Sequence, residues 1–150
     1  MGLTLAKLIR WPAQLSADER ALVEAVLAPT GQTLWVVAEA DLDAVTALSG
    51  SGPAYVFYFI EAMQQAALEL GLNEEQAKIL SLETFIGSSL LAAQSLETPA
   101  TLRSQVTSKG GTTEQAIQTM EAAAVKSAII KAAKAAANRS QELGDMLGKD

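Results

Sequence analysis

Apolar residues recur every three to four positions over most of this 150-residue chain, which is the period of an amphipathic α-helix. Residues 33–38, TLWVVA, are instead a short β-branched and aromatic run, which predicts one strand. Residues 1–11 show no pattern that predicts an element. A lone strand cannot form a sheet by itself. We therefore expect this helix–strand unit to be the edge of a larger sheet or to pair with another chain.

Residues typical of helix ends mark where the helices begin and stop. Ser16, followed three positions later by Glu19, predicts a capping box at the start of the first helix. A short helix over residues 41–48 ends at SGSG, and Pro53 stands in the first turn of a long helix. The other predicted boundaries are Gly31 and Gly71 as helix ends and Asn73 and Thr98 as N-caps.

Two of the predicted helices have unusually broad apolar surfaces. The helix from Asn73 to about Gln94 places apolar or small side chains over more than half of its circumference: Ile79, Leu82, Phe85, Ile86, Ser89, Leu90 and Ala93. A helix of this kind needs neighbours on more than one side. The last segment, from Thr112 to about Leu143, has small and apolar residues at spacings that suit close helix–helix contact between subunits.

Composition narrows the classes of function. Apolar residues make up 49% of the chain and aromatic residues 5%, which favours packed helices over a β-sandwich. The formal charge of −6 argues against a nucleic-acid surface. No apolar run is long enough to predict a transmembrane helix, and the chain has no cysteine for disulfide bonds. The expected location is the cytoplasm.

The residue types that are absent also limit the chemistry. Without Cys or His there is no thiolate nucleophile, no imidazole base and no zinc site of the usual kind. Hydroxyls, carboxylates, lysines and backbone amides remain. No GxGxxG follows a strand, and no GxxxxGK[ST] occurs, so no nucleotide-binding loop is predicted. The acids Glu39, Asp41, Asp43 and Glu61 are scattered over helix ends, and we expect no metal site.

The segment TSKGGTTEQ, residues 107–115, combines two glycines with several hydroxyl side chains just before a predicted helix. Thr112 as N-cap and Gln115 three positions later predict a capping box. The first amides of the helix and the positive end of its dipole then face the loop. Gly110 and Gly111 let the backbone approach a bound atom, and Ser108, Thr112 and Thr113 supply hydroxyls. These features suit a carboxylate or one phosphate group.

A simpler interpretation of the same residues is a corner between two helices, in which glycines supply positive φ angles and threonines cap. Local physics leaves both interpretations open. The segment SGSGPAY, residues 49–55, has similar ingredients. There we favour a tight connection between two closely packed helices.

The two segments together resemble one known family. DAVTALSGSGPAYVF (43–57) and LRSQVTSKGGTT (102–113), separated by two long helices, are similar to the C-terminal domain of pyrroline-5-carboxylate reductases. The family's final helix ends near R-S-x-E-L, which matches residues 139–143. The similarity covers about residues 12–143. Both motifs, in order and at this spacing, make the resemblance specific.

The resemblance implies a domain organisation. Residues 15–36 are similar to the last helix and strand of the family's dinucleotide-binding domain, whose glycine-rich cofactor loop does not occur here. We therefore expect residues 1–40 to be a remnant of a Rossmann-like domain. Residues 41–150 are expected to be a mainly α, multi-helix dimerisation and substrate-binding domain with interlaced helices. The chain is expected to be a truncated form, natural or engineered, that is inactive alone.

The resemblance also implies a function. Family members reduce 1-pyrroline-5-carboxylate to L-proline with hydride from NADPH or NADH, the last step of proline synthesis. The substrate carboxylate would be held by Ser108, Gly110, Gly111, Thr112 and Thr113, largely through backbone amides. Thr113 matches the hydroxyl that hydrogen-bonds the ring nitrogen and is the expected catalytic residue. It would orient the nitrogen and relay a proton from water.

The expected partners follow from the family as well. A homodimer, or a higher oligomer of dimers, is expected, without nucleic acid or membrane. This chain alone is expected to bind no nicotinamide cofactor tightly, and its cofactor-binding residues are unknown. Two departures from the family pattern matter: Lys109 replaces a proline, and Ala123 and Ala124 replace a glycine pair, so that the last two helices are expected to run on as one. The alternative function is a non-catalytic oligomerisation or small-carboxylate-binding module.

Overall fold

The computed structural model describes residues 7–10, 15–38 and 40–147, with the backbone alone described for residues 7–10 and 30. The chain divides into two compact units. The first unit consists of Met1–Pro53 together with Ile129–Asp150, and the second consists of Ala54–Ala128.

The first unit contains the strands and the short helices. Its elements are β1 (Lys7–Arg10), α1 (Ala17–Leu27), a 3-10 turn (Ala28–Thr30), β2 (Thr33–Val36), α2 (Asp41–Val45), a π-helical turn (Thr46–Gly50) and the C-terminal part of α7 (Val125–Leu147). The two strands form a parallel pair, with Lys7 opposite Thr33. The predicted strand over residues 33–38 therefore exists but is shorter.

The prediction that this strand has no partner within the chain was wrong, and residues 1–11, which show no clear pattern in the sequence, contain the partner. β1 lies within those residues and pairs with β2. The sequence of β1, KLIR, is too short to show an alternating pattern. Its strand conformation depends on hydrogen bonds to a segment more than twenty residues away, and such pairing is not a local property of the sequence.

Helix α1 begins with the predicted capping box. The Ser16 hydroxyl accepts from the Glu19 amide at 3.3 Å, and the Glu19 carboxylate accepts from the Ser16 amide at 2.8 Å. The Ser16 backbone amide, helped by the Ser16 hydroxyl, lowers the pKa of Glu19. A lowered folded pKa means that this contribution to stability is present at neutral pH and is lost as the pH falls through that pKa.

The side chain of Trp35 connects β2 to α1. The Arg20 guanidinium carbon lies 4.9 Å from the centre of the indole ring, a cation–π arrangement. The indole Nε1 donates to the carboxylate of Glu24, which also accepts from Arg20 Nε at 3.2 Å. These three side chains hold the helix against the strand.

The π-helical turn corrects the prediction for the SGSG segment. The predicted helix over residues 41–48 is regular only to Val45, and the chain then continues through a π-helical turn to Gly50. The Ser51 amide donates to the Thr46 carbonyl at 2.9 Å. Nearby, the Ser140 hydroxyl of α7 donates to the Asp43 carboxylate at 2.7 Å and ties α7 to α2 within the first unit.

The second unit is helical. Its elements are α3 (Gly52–Glu69, from Ala54 onward), α4 (Glu74–Gln94), α5 (Pro99–Gln105), α6 (Thr112–Ala122) and the first residues of α7. The predicted N-caps at Asn73 and Thr98 are confirmed, and Asn73 forms a capping box with Gln76. Gly71 ends α3 with a φ of +93°, and the Leu72 amide reaches back to the Ala67 carbonyl, as expected for a Schellman motif. The predicted mainly helical fold is thus confirmed.

The prediction that the last two helices run on as one was wrong. α6 ends at Ala122 and α7 begins at Val125. Between them Ala124 has a φ of +52°, and its amide donates to the Glu121 carbonyl at 2.9 Å. An L-residue in this left-handed conformation costs about 1–2 kcal/mol. The break between α6 and α7 is therefore present although alanine, and not glycine, occupies the left-handed position.

Few of the described apolar side chains are buried. The buried hydrophobic residues are Val36, Ala47 and Ala77, and Ser81 is the buried polar residue. Several large apolar residues of α4 remain about half exposed: Ile79, Leu80, Ile86, Leu90 and Leu91. The expectation that α4 needs neighbours on more than one side agrees with this exposure. No described helix is long and apolar enough to cross a membrane.

Candidate functional site

Residues 107–111 connect α5 to α6, and together with Thr112 and Thr113 of α6 they are called the cradle loop below. The loop begins where Val106 leaves helical geometry, with φ −99° and ψ 11°. The Thr107 hydroxyl donates back to the Arg103 carbonyl at 2.6 Å, and the Thr107 amide donates to the Ser104 carbonyl at 3.1 Å. Thr107 therefore closes the end of α5 and is half-buried rather than free to bind a solute.

The centre of the loop is a tight four-residue turn. The Gly111 amide donates to the Ser108 carbonyl at 3.0 Å, and Gly110, the third residue of the turn, has a φ of +74°. This combination is typical of a type II turn, which requires a glycine or an asparagine at that position. Lys109 occupies the second position, where proline is favoured.

Gly111 has no room for a side chain. A Cβ atom at this position would lie 2.5 Å from the Ser108 hydroxyl oxygen and 3.1 Å from the Ser108 carbonyl oxygen. The hydroxyl can rotate away, but the carbonyl belongs to the turn itself. The close approach of these two residues therefore depends on glycine.

Helix α6 has a different N-cap from the predicted one. The N-cap is Gly111 and not Thr112, and no side chain caps it, so the predicted capping box of Thr112 with Gln115 was wrong. The Gln115 amide instead donates to the Gly111 carbonyl at 3.3 Å. The tight turn at Ser108 places Gly111 in extended geometry directly before the helix, which moves Thr112 into the first turn. The amides of Thr112 and Thr113 consequently have no intrahelical partner.

The sequence interpretation missed the role of Glu114. Its carboxylate accepts a hydrogen bond from the Gly110 amide at 2.7 Å, so that the third residue of α6 reaches back across the N-cap. The missed signal is an acid in the first helical turn, a position that favours contacts with free amides. The Gly110 amide therefore already donates to Glu114, whereas the Thr112 and Thr113 amides have no acceptor within the helix.

The five residues predicted to bind substrate lie on this loop and on the first turn of α6: Ser108, Gly110, Gly111, Thr112 and Thr113. Ser108, Gly110 and Thr112 are exposed, and Gly111 and Thr113 are half-buried. Lys109, the basic side chain of the loop, is exposed as well. The arrangement offers free amides, hydroxyls and a helix N-terminus to a small anion.

Of the four acids considered for metal binding, Asp41 and Asp43 have other partners, and Glu39 lies outside the described residues. The Asp41 carboxylate accepts from the Ala38 amide at 3.1 Å, and Asp43 accepts from Ser140. No group of three acids within the described residues is close enough to hold a metal ion.

The SGSGPAY segment, residues 49–55, contains one buried hydroxyl group without a partner in the described part of the chain. The phenolic oxygen of Tyr55 is buried and has no hydrogen-bond partner among the described residues. A buried hydroxyl without a partner costs about 1–3 kcal/mol. Nothing in the surrounding geometry assigns this hydroxyl to the cradle loop.

Replacing Lys109 by proline is expected to raise the free energy of unfolding by about 0.4–1 kcal/mol, because proline fixes the φ angle that the second position of the turn requires. The Lys109 amide forms no hydrogen bond within the described structure that proline would remove. Urea denaturation measures the change. Proline at Lys126, an exposed position in the first turn of α7, is a control for effects outside the loop. An unchanged or lower stability of K109P would contradict the type II assignment.

Comparison with known proteins places these features in one family. Residues 39–143 match the profile of the family described as "Pyrroline-5-carboxylate reductase dimerisation". The pyrroline-5-carboxylate reductase of Pseudomonas aeruginosa is 44% identical over 137 residues, which are 91% of this chain and 50% of that protein. The protein of the same name from Corynebacterium melassecola is 41% identical over 130 residues, 87% of this chain and 48% of that protein.

Solved structures show the same likeness. The pyrroline-5-carboxylate reductase of Coxiella burnetii superposes with a TM-score of 0.88 at 40% identity, over 92% of this chain and 51% of that chain. The pyrroline carboxylate reductase of Plasmodium falciparum, solved with NADP bound, has a TM-score of 0.83 at 29% identity, over 93% and 53% of the two chains. The chain spans about half the length of the relatives it matches. Because the matched profile covers most of its length, the chain belongs to the pyrroline-5-carboxylate reductase dimerisation family.

Proposed function

We propose that this chain supplies the substrate-binding and dimerisation part of a pyrroline-5-carboxylate reductase. The reaction is the reduction of 1-pyrroline-5-carboxylate to L-proline, with hydride from NADPH or NADH. The observation that carries the proposal is the accessible cradle loop at the N-terminus of α6, in a chain of this family. The family match begins at residue 39, which supports the predicted boundary between residues 1–40 and 41–150.

The substrate carboxylate is proposed to bind at the start of α6. The uncommitted amides of Thr112 and Thr113 and the positive end of the helix dipole favour a single negative charge there. The Ser108 hydroxyl adds a donor at the opposite side of the turn. Gly111 brings the loop backbone close to the bound group, and Gly110 supplies the left-handed conformation that the turn needs.

Thr113 is proposed to hydrogen-bond the ring nitrogen. Its hydroxyl is too weak an acid to protonate an imine outright. It can fix the orientation of the nitrogen and pass on a proton from water while hydride arrives at the neighbouring carbon. The half-buried position of Thr113 limits the motion of its side chain, which favours such an orienting role.

The nicotinamide cofactor would supply the hydride, but the residues of this chain do not fit it. Dinucleotide-binding folds hold the cofactor pyrophosphate on a glycine-rich turn after their first strand, and no GxGxxG follows a strand in this sequence. The residues between Arg10 and Ala17 are WPAQLS and contain no glycine. A cofactor pyrophosphate would therefore lack the close backbone approach that it needs.

Replacing Thr113 by valine is expected to weaken binding of proline about tenfold, because one hydrogen bond to the ring nitrogen is lost. Cyclopentanecarboxylate, which has the same carboxylate but no polar ring atom, is expected to bind T113V as tightly as the wild-type chain. Calorimetry with both ligands measures the difference.

Thr119→Val is the matched control, since it removes a hydroxyl of the same helix that donates to the Gln115 carbonyl at 2.9 Å. Proline affinity should be unchanged in this control. Equal weakening of both ligands in T113V, or no weakening of either, would show that Thr113 does not recognise the ring nitrogen.

The 150-residue chain alone is expected to transfer no hydride, because its sequence contains no glycine-rich dinucleotide-binding loop. The decrease of NADPH and NADH absorbance with pyrroline-5-carboxylate and purified chain measures this activity. A full-length reductase from a relative serves as the positive control. Substrate-dependent oxidation well above the buffer rate would contradict the expectation.

A second candidate function is a non-catalytic module that oligomerises or binds a small carboxylate without turnover. The exposed apolar side chains of α4 favour oligomerisation independently of the cradle loop. Calorimetry separates the two candidates, because an oligomerisation module needs no affinity for proline. The predicted cytoplasmic location stays a prediction.

A further inference from the structure

We propose that Glu114 is a positioning residue that shapes the cradle loop and restricts it to ligands with one negative charge. This inference rests on the proposed function, since it concerns the same loop. It begins from the hydrogen bond between the Gly110 amide and the Glu114 carboxylate, which links the turn to the first turn of α6 at 2.7 Å.

The first step concerns the shape of the loop. Gly110 and Gly111 follow each other, and glycine loses more conformational freedom on ordering than any other residue. Three hydrogen bonds hold them: the Gly111 amide donates to the Ser108 carbonyl, the Gly111 carbonyl accepts from the Gln115 amide, and the Gly110 amide donates to Glu114. The bond from Glu114 is charge-assisted and therefore the stronger kind. Without the bond to Glu114, no hydrogen bond from the Gly110 amide within the described structure holds its left-handed conformation.

The second step concerns the free amides. A side chain at the N-cap normally occupies an amide of the second or third helical residue, but Gly111 has no side chain. Glu114 stabilises the start of α6 from the opposite direction, through Gly110. The helix is thereby stabilised without using the Thr112 and Thr113 amides, which stay available for a ligand. A loop already in its binding shape loses less entropy when the ligand arrives.

The third step concerns charge. Glu114 follows Thr113 directly, so its carboxylate lies within the first turn of the helix that would hold the ligand's own carboxylate. Both carboxylates would then lie at the same helical turn, and their like charges repel each other. The helix dipole and Lys109 offset one negative charge on the ligand. A second negative charge on the ligand would be repelled by Glu114. The site should therefore prefer a monocarboxylate over a matching dicarboxylate.

The loop geometry is tested without any ligand by amide hydrogen exchange, measured by NMR on the labelled 150-residue chain. The Gly110 amide should exchange at least about fivefold faster in Glu114→Ala than in the wild-type chain, because its acceptor is lost. Glu114→Gln keeps an acceptor and should restore part of the protection. Glu83→Ala, which removes the same charge from an exposed position of α4, should leave Gly110 unchanged. Identical exchange in all variants would overturn the positioning role.

The ligand test compares proline with pyrrolidine-2,5-dicarboxylate in calorimetry. Glu114→Ala should bind proline about tenfold more weakly, and Glu114→Gln should bind it nearly as well as the wild-type chain. Glu114→Gln should also narrow the preference for proline over the dicarboxylate by about tenfold, an effect that a purely structural role would not produce.

The outcomes separate this inference from the proposed function. If the wild-type chain binds neither ligand, the proposed function fails, and the role of Glu114 in binding fails with it. If the wild-type chain binds proline while the affinity and the preference of both Glu114 variants are unchanged, only the role of Glu114 is overturned.

Discussion

Replacing Gly111 by valine is expected to abolish measurable binding of proline and of other cyclic monocarboxylates, an affinity loss of more than about 100-fold. The Cβ atom alone would stand 2.5 Å from the Ser108 hydroxyl oxygen and 3.1 Å from the Ser108 carbonyl oxygen. The carbonyl accepts the hydrogen bond that closes the turn, so it cannot move without opening the turn. The branched side chain would also stand directly before the free amides of α6.

The matched control is Gly87→Ala in the middle of α4, where an added Cβ meets no atom within 4 Å. This change should leave ligand affinity unchanged and raise the free energy of unfolding by about 0.5–1 kcal/mol, because alanine favours helix. Calorimetry and urea denaturation measure the two quantities. A G111V chain that remains folded and binds proline within about threefold of wild type would remove the cradle loop from the binding site.

The second large effect is expected at the apolar surface of α4. Ile79, Ile86 and Leu90 follow one another at spacings of seven and four and are 47–53% exposed. Residues at these spacings share one face of a helix. We propose that a second copy of the chain covers this surface, consistent with the dimerisation family.

Leu90→Glu is therefore expected to raise the dissociation constant of the homodimer by at least about 100-fold, because an unpaired charge would be buried in an apolar contact. Sedimentation velocity at several concentrations measures it, and thermal unfolding should lose its concentration dependence. Gln118→Glu, which adds the same charge at an exposed position of α6, is the control and should remain dimeric. A monomeric wild-type chain, or an L90E dimer as tight as wild type, would contradict the proposal.

Local chemistry explains why most helix ends were predictable. The capping box of Ser16 with Glu19 and that of Asn73 with Gln76 each involve residues three positions apart. The Schellman end at Gly71 likewise depends on a short segment. Where donor, acceptor and backbone conformation all lie within one turn, the sequence is sufficient to predict the structure.

The candidate site was only partly predictable for the same reason. The loop, its glycines and its hydroxyls are visible in the sequence, but the N-cap in the structure is Gly111 and not the predicted Thr112. The residues S-K-G-G-T do not by themselves fix the turn, whose geometry depends on which carbonyl accepts from the Gly111 amide. Glu114 was missed because its partner, Gly110, becomes accessible only after that choice.

The sequence by itself determined the helical period, most helix boundaries and the two motifs that identify the family, since each is a property of neighbouring residues. Tertiary structure alone decided the rest. The pairing of β1 with β2 and the bond between Ser140 and Asp43 join distant segments. Contacts between distant residues depend on where the whole chain places them, and no short window of sequence contains that information.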